Sequence, residues 1–242
     1  MLWLVGVPSG KLDLLSVKAV SLLASCELCL YSGSLIDERV LRCCRRALVV
    51  RSALNDRLED TLYALLCANS MTVKLVSGSL FAYSGIRELS FYLKALKLAF
   101  SIVPSVGALD VAFAYLGCEF LSPWTKAVVV TRLSRHGALP LKLASLQTLA
   151  SASPLVVVYL SPRLVPTAWA ALLAAYGGSC PVVCAYRVGW HSECFLLTSL
   201  RKLRADLKLV RAARATMLVA GSALLAARTE ATKLACLTSS RR

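Results

Sequence analysis

Hydrophobic positions along the first half of the chain alternate between two patterns. Leu2–Val7 is an unbroken apolar run, LWLVGV, that reads as a strand; residues 13–25 instead place Leu15, Ala19, Val20 and Leu23 at helical spacing. The alternation continues with strand-like runs at 28–31, 48–50, 73–76 and 101–103, separated by helical patterns near 37–45, 57–69 and 85–98. Strands that are apolar at every position are covered on both faces, so the pattern predicts a mostly parallel sheet flanked by helices.

After a predicted helix at 106–116, residues 117–125 carry Gly117, Ser122, Pro123 and Trp124 and break the rhythm. The expected organisation is an N-terminal α/β domain at 1–116, a linker at 117–125, a second α/β domain at 126–221 and a basic, polar tail at 222–242. Strands are expected at 127–131, 155–160, 182–186, 194–197 and 216–219, with helices near 165–176 and 199–209. Only RVGWHSE separates two of these strands, so an antiparallel pair and a mixed second sheet are expected.

A hydrophobic fraction of 57% and a mean hydropathy of +0.67 call for a membrane test. The longest charge-free stretches, 143–162 and 164–186, approach the roughly 20 residues that span a bilayer. The first mixes in Gln147, Thr148, serines and Pro154; the second is cut by Pro166, Gly177, Gly178 and Pro181. No basic region precedes the short first apolar run, which predicts no signal peptide and a cytoplasmic chain with no membrane partner. Ten cysteines are diluted in a long apolar chain, so reduced thiols are expected rather than a disulfide framework. Cys26 and Cys29 have CxxC spacing and Cys43 adjoins Cys44, but adjacent cysteines make poor tetrahedral partners, and no metal is expected.

The 28 Lys and Arg against 13 Asp and Glu give a net charge of +15, which attracts nucleic acid, anionic lipid or a polycarboxylate ligand without choosing among them. The segment SLRKLRADLKLVRAARA at 199–215 is the best candidate for a nucleic-acid or membrane surface. It has no accompanying RNP-type or helix-turn-helix signature and reads as a surface helix, so no nucleic-acid partner is expected. His136 and His191, the only histidines, read as loop residues.

In parallel sheets, ligands bind beyond the carboxyl ends of strands. Five post-strand turns stand out there: VGVPSGK at 5–11, YSGSLI at 31–36, VSGSLFAYSG at 76–85, VPSVGA at 103–108 and YRVGW at 186–190. Small residues in such turns let a ligand approach the backbone. In order, LVGVPSGKLDLLSVKA, LYSGSLI, LVSGSLFAYSGI, VPSVGA, VVVTRL and YRVGWHSE resemble the layout of the tetrapyrrole methylase family: VGxGPGDPxLLTxKA, YAGSL, SGDPxxYG, PGxSS, LTR and YRASW. The second and last elements resemble those of the precorrin-4 C11-methyltransferases of cobalamin biosynthesis.

The resemblance implies two α/β domains with S-adenosylmethionine in the cleft between them, a reduced tetrapyrrole as methyl acceptor, and a homodimer. It carries Ser9, Ser77, Gly78, Ser79, Ala82, Gly107, Ala108, Leu160, Val188 and Gly189 to the donor pocket. Tyr31, Ser32, Gly33 and Ser34 are carried to the tetrapyrrole side. Arg132 and Arg187 are candidate carboxylate anchors, since a guanidinium grips a carboxylate in two places. Trp190 and Tyr83 are candidates to stack on the macrocycle, and Tyr83 and Arg132 are the candidates for a direct part in catalysis. Methyl transfer from a sulfonium to an electron-rich carbon needs orientation and exclusion of water more than a nucleophilic side chain. The chain departs from the family pattern at Pro8, Lys11, Leu12, Ser79 and Leu80, and PSVGA lacks the second-position glycine. A working methylase and a descendant that binds without turnover both fit these departures.

Overall fold

A computed structural model describes residues 1–8, 10–32, 36–52, 71–123, 125–133, 143–160, 162–190, 192–206 and 216–226. The expected helix at 57–69 and residues Ser9, Gly33, Ser34, Trp124, His136 and His191 lie outside them. The chain divides into two compact units, Met1–Asp110 and Val111–Arg242.

The first unit is built on a five-stranded sheet in the order β3-β2-β4-β1-β5, with every described pair parallel. Its strands are β1 (Leu2–Val7), β2 (Leu28–Ser32), β3 (Leu48–Ser52), β4 (Thr72–Ser77) and β5 (Phe100–Val103). Side chains of β1 alternate between two cores: Val5 and Val7 pack with Ala19, Leu22 and Leu23 of α1 (Val17–Ser25), while Leu2 and Leu4 pack with Leu89 and Leu93 of α2 (Ile86–Ala95). Both faces are therefore covered, which is why the strand is apolar throughout. The Ser16 hydroxyl caps α1 by accepting the Ala19 N–H at 3.1 Å. Burying each of the leucines on these helices contributes about 1.5–3 kcal/mol.

Where the pattern predicts a helix near 37–45, the chain forms a 3-10 helix, Glu38–Cys43. Its bonds close after three residues, from the Val40 N–H to the Asp37 carbonyl at 3.0 Å and from the Cys44 N–H to the Leu41 carbonyl at 2.9 Å.

The second unit carries a mixed sheet in the order β6-β7-β10-β8-β9. Parallel β6 (Val129–Leu133) and β7 (Leu155–Leu160) are followed across the sheet by β10 (Thr216–Gly221), which runs antiparallel to β7 and to β8 (Pro181–Tyr186). The expected antiparallel pair is β8 with β9 (Cys194–Ser199). α3 (Ala108–Leu116) spans the division between the units.

α4 (Leu143–Ser151) occupies the first of the charge-free stretches, where no helix was expected; it buries Leu146 and Ala150 one turn apart. α5 (Val165–Tyr176) matches its predicted range. Of the helix expected at 199–209, the described residues show the turn α6 (Leu203–Asp206) preceded by a non-helical start, and 207–215 lie outside the described residues. Its first residues are committed elsewhere: the Leu200 N–H bonds the Cys180 carbonyl at 3.0 Å and the Arg201 N–H bonds that of Gly178 at 2.9 Å. The Trp169 indole N–H donates to the Leu200 carbonyl at 2.7 Å, fixing this turn to α5.

No helix among the described residues is long and apolar enough to cross a membrane. Seven described cysteines are free, whereas Cys194 is disulfide-bonded, contrary to the expectation of reduced thiols throughout.

Candidate functional site

Because the strands of the first sheet are parallel, the segments that follow β1, β2, β4 and β5 all leave from one edge. Gly6, on β1, lets two of them come together over that strand. A side chain there would collide with Leu80 and would place its Cβ 2.5 Å from that of Ser105. Leu80 is fully buried against this site, so the residue that departs from the family pattern anchors the loop after β4.

That loop turns at Gly78, whose φ is +68° and whose N–H donates to the Val7 carbonyl at 2.7 Å. A Cβ at Gly78 would meet nothing within 4 Å, which leaves its outer face open to a ligand. Ser79 accepts the Phe81 N–H on its hydroxyl at 3.4 Å, and its carbonyl accepts the Ala82 N–H at 3.4 Å. The Ser84 hydroxyl donates to the Leu80 carbonyl, and Tyr83 is exposed with φ 58°. After β5, the Gly107 N–H is taken by the Asp110 carboxylate at 2.9 Å. The Cα of Gly107 faces Ser79 so closely that a Cβ there would lie 3.2 Å from that of Ser79. The structure thus brings Ser77, Gly78, Ser79 and Ala82 together with Gly107 and Ala108.

The described residues on either side of the segment after β2 are tied down. The Tyr31 ring belongs to the core, and its hydroxyl donates to Glu38 at 3.1 Å. Ser32 closes the strand. Asp37, itself buried, caps the following 3-10 helix by accepting the Arg39 N–H at 2.9 Å and grips the Arg39 side chain. The Arg39 Nε lies 3.0 Å from both carboxylate oxygens, and one terminal nitrogen reaches Asp37 at 2.6 Å and the Gly10 carbonyl at 3.0 Å. The hydrogen bonds and charge of Asp37 raise the Arg39 pKa. Arg39 therefore ties the loop after β1 to the segment after β2. Gly6, Asp37, Arg39 and Leu80 were not among the candidates read from the sequence; the acid two residues before an arginine at a helix start is the one signal from which the clamp could have been read.

In the second unit, YRVGWHSE closes on itself. The Trp190 N–H donates to the Arg187 carbonyl at 2.9 Å, the Glu193 N–H to the Trp190 carbonyl at 2.9 Å, and the Gly189 N–H to the Glu193 carboxylate at 2.8 Å. Arg187 lies over the Trp190 ring with its guanidinium carbon 4.9 Å from the centroid. Val188 is buried. Leu160 ends β7 inside the core, and Arg132 sits exposed on the edge strand β6 opposite Tyr159. A cavity of about 640 Å³, lined in part by Cys118, Glu119, Thr125 and Ser222, includes none of the expected site residues. Among the described residues no group of three His, Cys, Asp or Glu is arranged to hold a metal ion.

Residues 1–204 match the family model of the tetrapyrrole (corrin/porphyrin) methylases. The chain belongs to the tetrapyrrole methylase family. Over 93% of its length this methylase is 27% identical to the precorrin-4 C(11)-methyltransferase of Rhodococcus erythropolis, of which the match covers 92%. It is 29% identical to that of Pseudomonas aeruginosa over 79% of this chain and 77% of the relative. Among solved structures, a cobalt precorrin-4 methyltransferase of cobalamin biosynthesis matches with a TM-score of 0.84 at 26% identity, covering 92% of this chain and 95% of that one. A uroporphyrin-III C-methyl transferase from Thermus thermophilus, complexed with S-adenosyl homocysteine, shares the fold with a TM-score of 0.76 at 21% identity, covering 93% and 98%.

Proposed function

We propose that this methylase transfers the methyl group of S-adenosylmethionine to a ring carbon of a corrin precursor, C11 of precorrin-4 or of its cobalt form. The observation that carries the reading is the near full-length likeness to relatives named for that reaction. The open face at Gly78, flanked by Ser79 and Gly107, is a cradle that a side chain would fill, and it suits a donor lying against backbone. Ser77, Gly78, Ser79, Ala82, Gly107 and Ala108 are assigned to the donor on that basis. Leu160, Val188 and Gly189 are assigned to it by resemblance alone, as are Ser32, Arg132, Arg187 and Trp190 to the tetrapyrrole.

When bound, S-adenosylmethionine supplies a methyl group already activated on a sulfonium. The chain's own part is then to hold donor and acceptor in line and to keep water away. Ser79 offers a hydroxyl where the family pattern has a carboxylate, so its hold on the donor is that of a neutral hydrogen bond. Cationic Arg187, set over Trp190, presents charge and a ring face at one place, which suits a macrocycle bearing carboxylates.

Purified protein incubated with methyl-labelled S-adenosylmethionine and precorrin-4 is expected to yield product labelled at C11. Label at another ring position would keep the methylase and change the substrate assignment. Thermal stabilisation by S-adenosylhomocysteine without any label would identify a chain that binds the donor and no longer turns over.

The Arg39 clamp gives a second test. Arg39→Ala is expected to weaken S-adenosylhomocysteine binding a few fold by freeing Gly10, with Arg39→Lys recovering part of the loss because an ammonium lacks the fork that meets Asp37 and Gly10 together. Calorimetric titration of the three proteins checks it, and equal affinities would remove the loop after β1 from the donor site.

A further inference from the structure

The exposed aromatic side chains among the described residues all lie in one short stretch of the first unit. Phe81 and Tyr83 stand in the loop before α2, and Phe91 and Tyr92 on the helix itself, with exposures of 71%, 52%, 74% and 53%. Leu96 extends the patch past the helix end. Leu89 and Leu93 face the core, and each helical residue turns by about 100°, so Phe91, midway between them in sequence, is carried to the opposite side. Phe91 and Tyr92 meet edge to face with ring centroids 6.5 Å apart. Opposite charges flank Phe91 at equal spacing: Glu88 lies one turn before it and Lys94 one turn after, both exposed. Among the described residues no ion pair engages either.

We propose that this face is an interface between two copies of the chain, with their α2 helices antiparallel about a twofold axis through Phe91. Every pair in such a contact occurs twice. Phe91 meets the partner's Phe91, Glu88 meets the partner's Lys94, and Lys94 meets the partner's Glu88. At a rise of about 1.5 Å per residue, Leu96 and Gly85 lie roughly 7–9 Å to either side of the axis. The end of α2 that carries Leu96 is thereby brought to the partner's loop that carries Phe81 and Tyr83.

Size and charge both favour a second copy. A stable interface takes about 800 Å² from each partner, about 60% of it apolar. The exposed parts of these five side chains amount to roughly 500–600 Å² on the scale of whole aromatic residues. An anionic lipid surface fits less well, because Glu88, beside the central ring, would face headgroups of its own sign. The contact also reaches the donor site: the loop that supplies Phe81 and Tyr83 holds Gly78, Ser79 and Ala82. On the reading of those three as donor residues, self-association steadies the donor loop, and each event strengthens the other.

Light scattering and sedimentation of the full chain at micromolar concentration should show a dimer. Phe91→Glu sets two like charges on the axis and should give a monomer with an unchanged circular dichroism spectrum, since the side chain is exposed. Glu88→Lys and Lys94→Glu should each weaken the dimer several fold, and the double exchange should recover most of the loss, because only reciprocal pairing couples the two positions. A monomeric wild type, a dimer indifferent to Phe91→Glu, or a double exchange no better than the single changes overturns the interface. A monomer that sediments with phosphatidylserine vesicles and not with phosphatidylcholine vesicles overturns it in favour of a lipid surface. S-adenosylhomocysteine should bind Phe91→Glu a few fold more weakly than wild type, and equal affinity overturns the link to the donor loop. A wild type that binds none overturns the donor reading and the link together, while the charge exchange still decides the interface.

Discussion

Gly221→Ala is expected to destabilise the protein by about 2–6 kcal/mol, the sum of backbone strain and overpacking. Gly221 ends β10 directly opposite Leu155, with φ +148°, a conformation that side chains rarely adopt. A Cβ there would run into the Pro154 carbonyl oxygen and lie 2.8 Å from the Leu155 Cα and 3.0 Å from the Pro154 carbonyl carbon. All three obstacles are backbone, so no rotamer change relieves them. The strand cannot retreat cheaply either, because β10 is hydrogen-bonded on both sides, to β7 and to β8. Against a total stability of about 5–15 kcal/mol, the loss is a large share of the whole. Urea unfolding should show a fall in midpoint with little change in slope. A loss below about 0.5 kcal/mol, the size of an ordinary surface change, would mean that β10 ends elsewhere.

The same strand marks where the sequence stops being informative. β7 and β8 read as strands because they are apolar at nearly every position, a local property. Nothing local records that β10 inserts between them. That order follows from pairing across some sixty residues of chain, and an apolar run looks alike beside any neighbour. α4 was missed for the opposite reason. Its Ser, Thr and Gln residues blur the helical period, and the burial of Leu146 and Ala150 decides the matter only in the folded unit. The turn-rich segments at 77–85 and 103–108 were legible by their order along the chain. What holds them was not, because Leu80 looks like a stray apolar residue until Gly6 is placed beneath it on β1. Tyr31 shows the converse. Its position in YSGSL draws attention to the hydroxyl, and the structure spends that hydroxyl on Glu38 and the ring on the core.

Gly6→Ala is expected to cost both stability and donor binding, and to do so through one contact. The new methyl group needs the space now held by the Leu80 side-chain tip and by Ser105, whose Cβ would be 2.5 Å away. Leu80 is fully buried, so the overpacking should cost about 1–3 kcal/mol. Ser105 can yield only if residues 103–108 move, which separates Gly107 from Ser79, two of the positions assigned to the donor. S-adenosylhomocysteine affinity should therefore fall by more than about tenfold, the equivalent of roughly 1.4 kcal/mol. The double variant Gly6→Ala with Leu80→Ala tests the cause. Leu80→Ala alone should cost about 2–5 kcal/mol, and the added methyl should partly fill the space it leaves, so the two losses should sum to less than their parts. Donor binding should stay impaired in the double variant, because the Ser105 obstacle remains. Additive losses would place Leu80 away from Gly6. A destabilised Gly6→Ala protein that binds S-adenosylhomocysteine as well as wild type would show that the loops after β4 and β5 do not form the donor site.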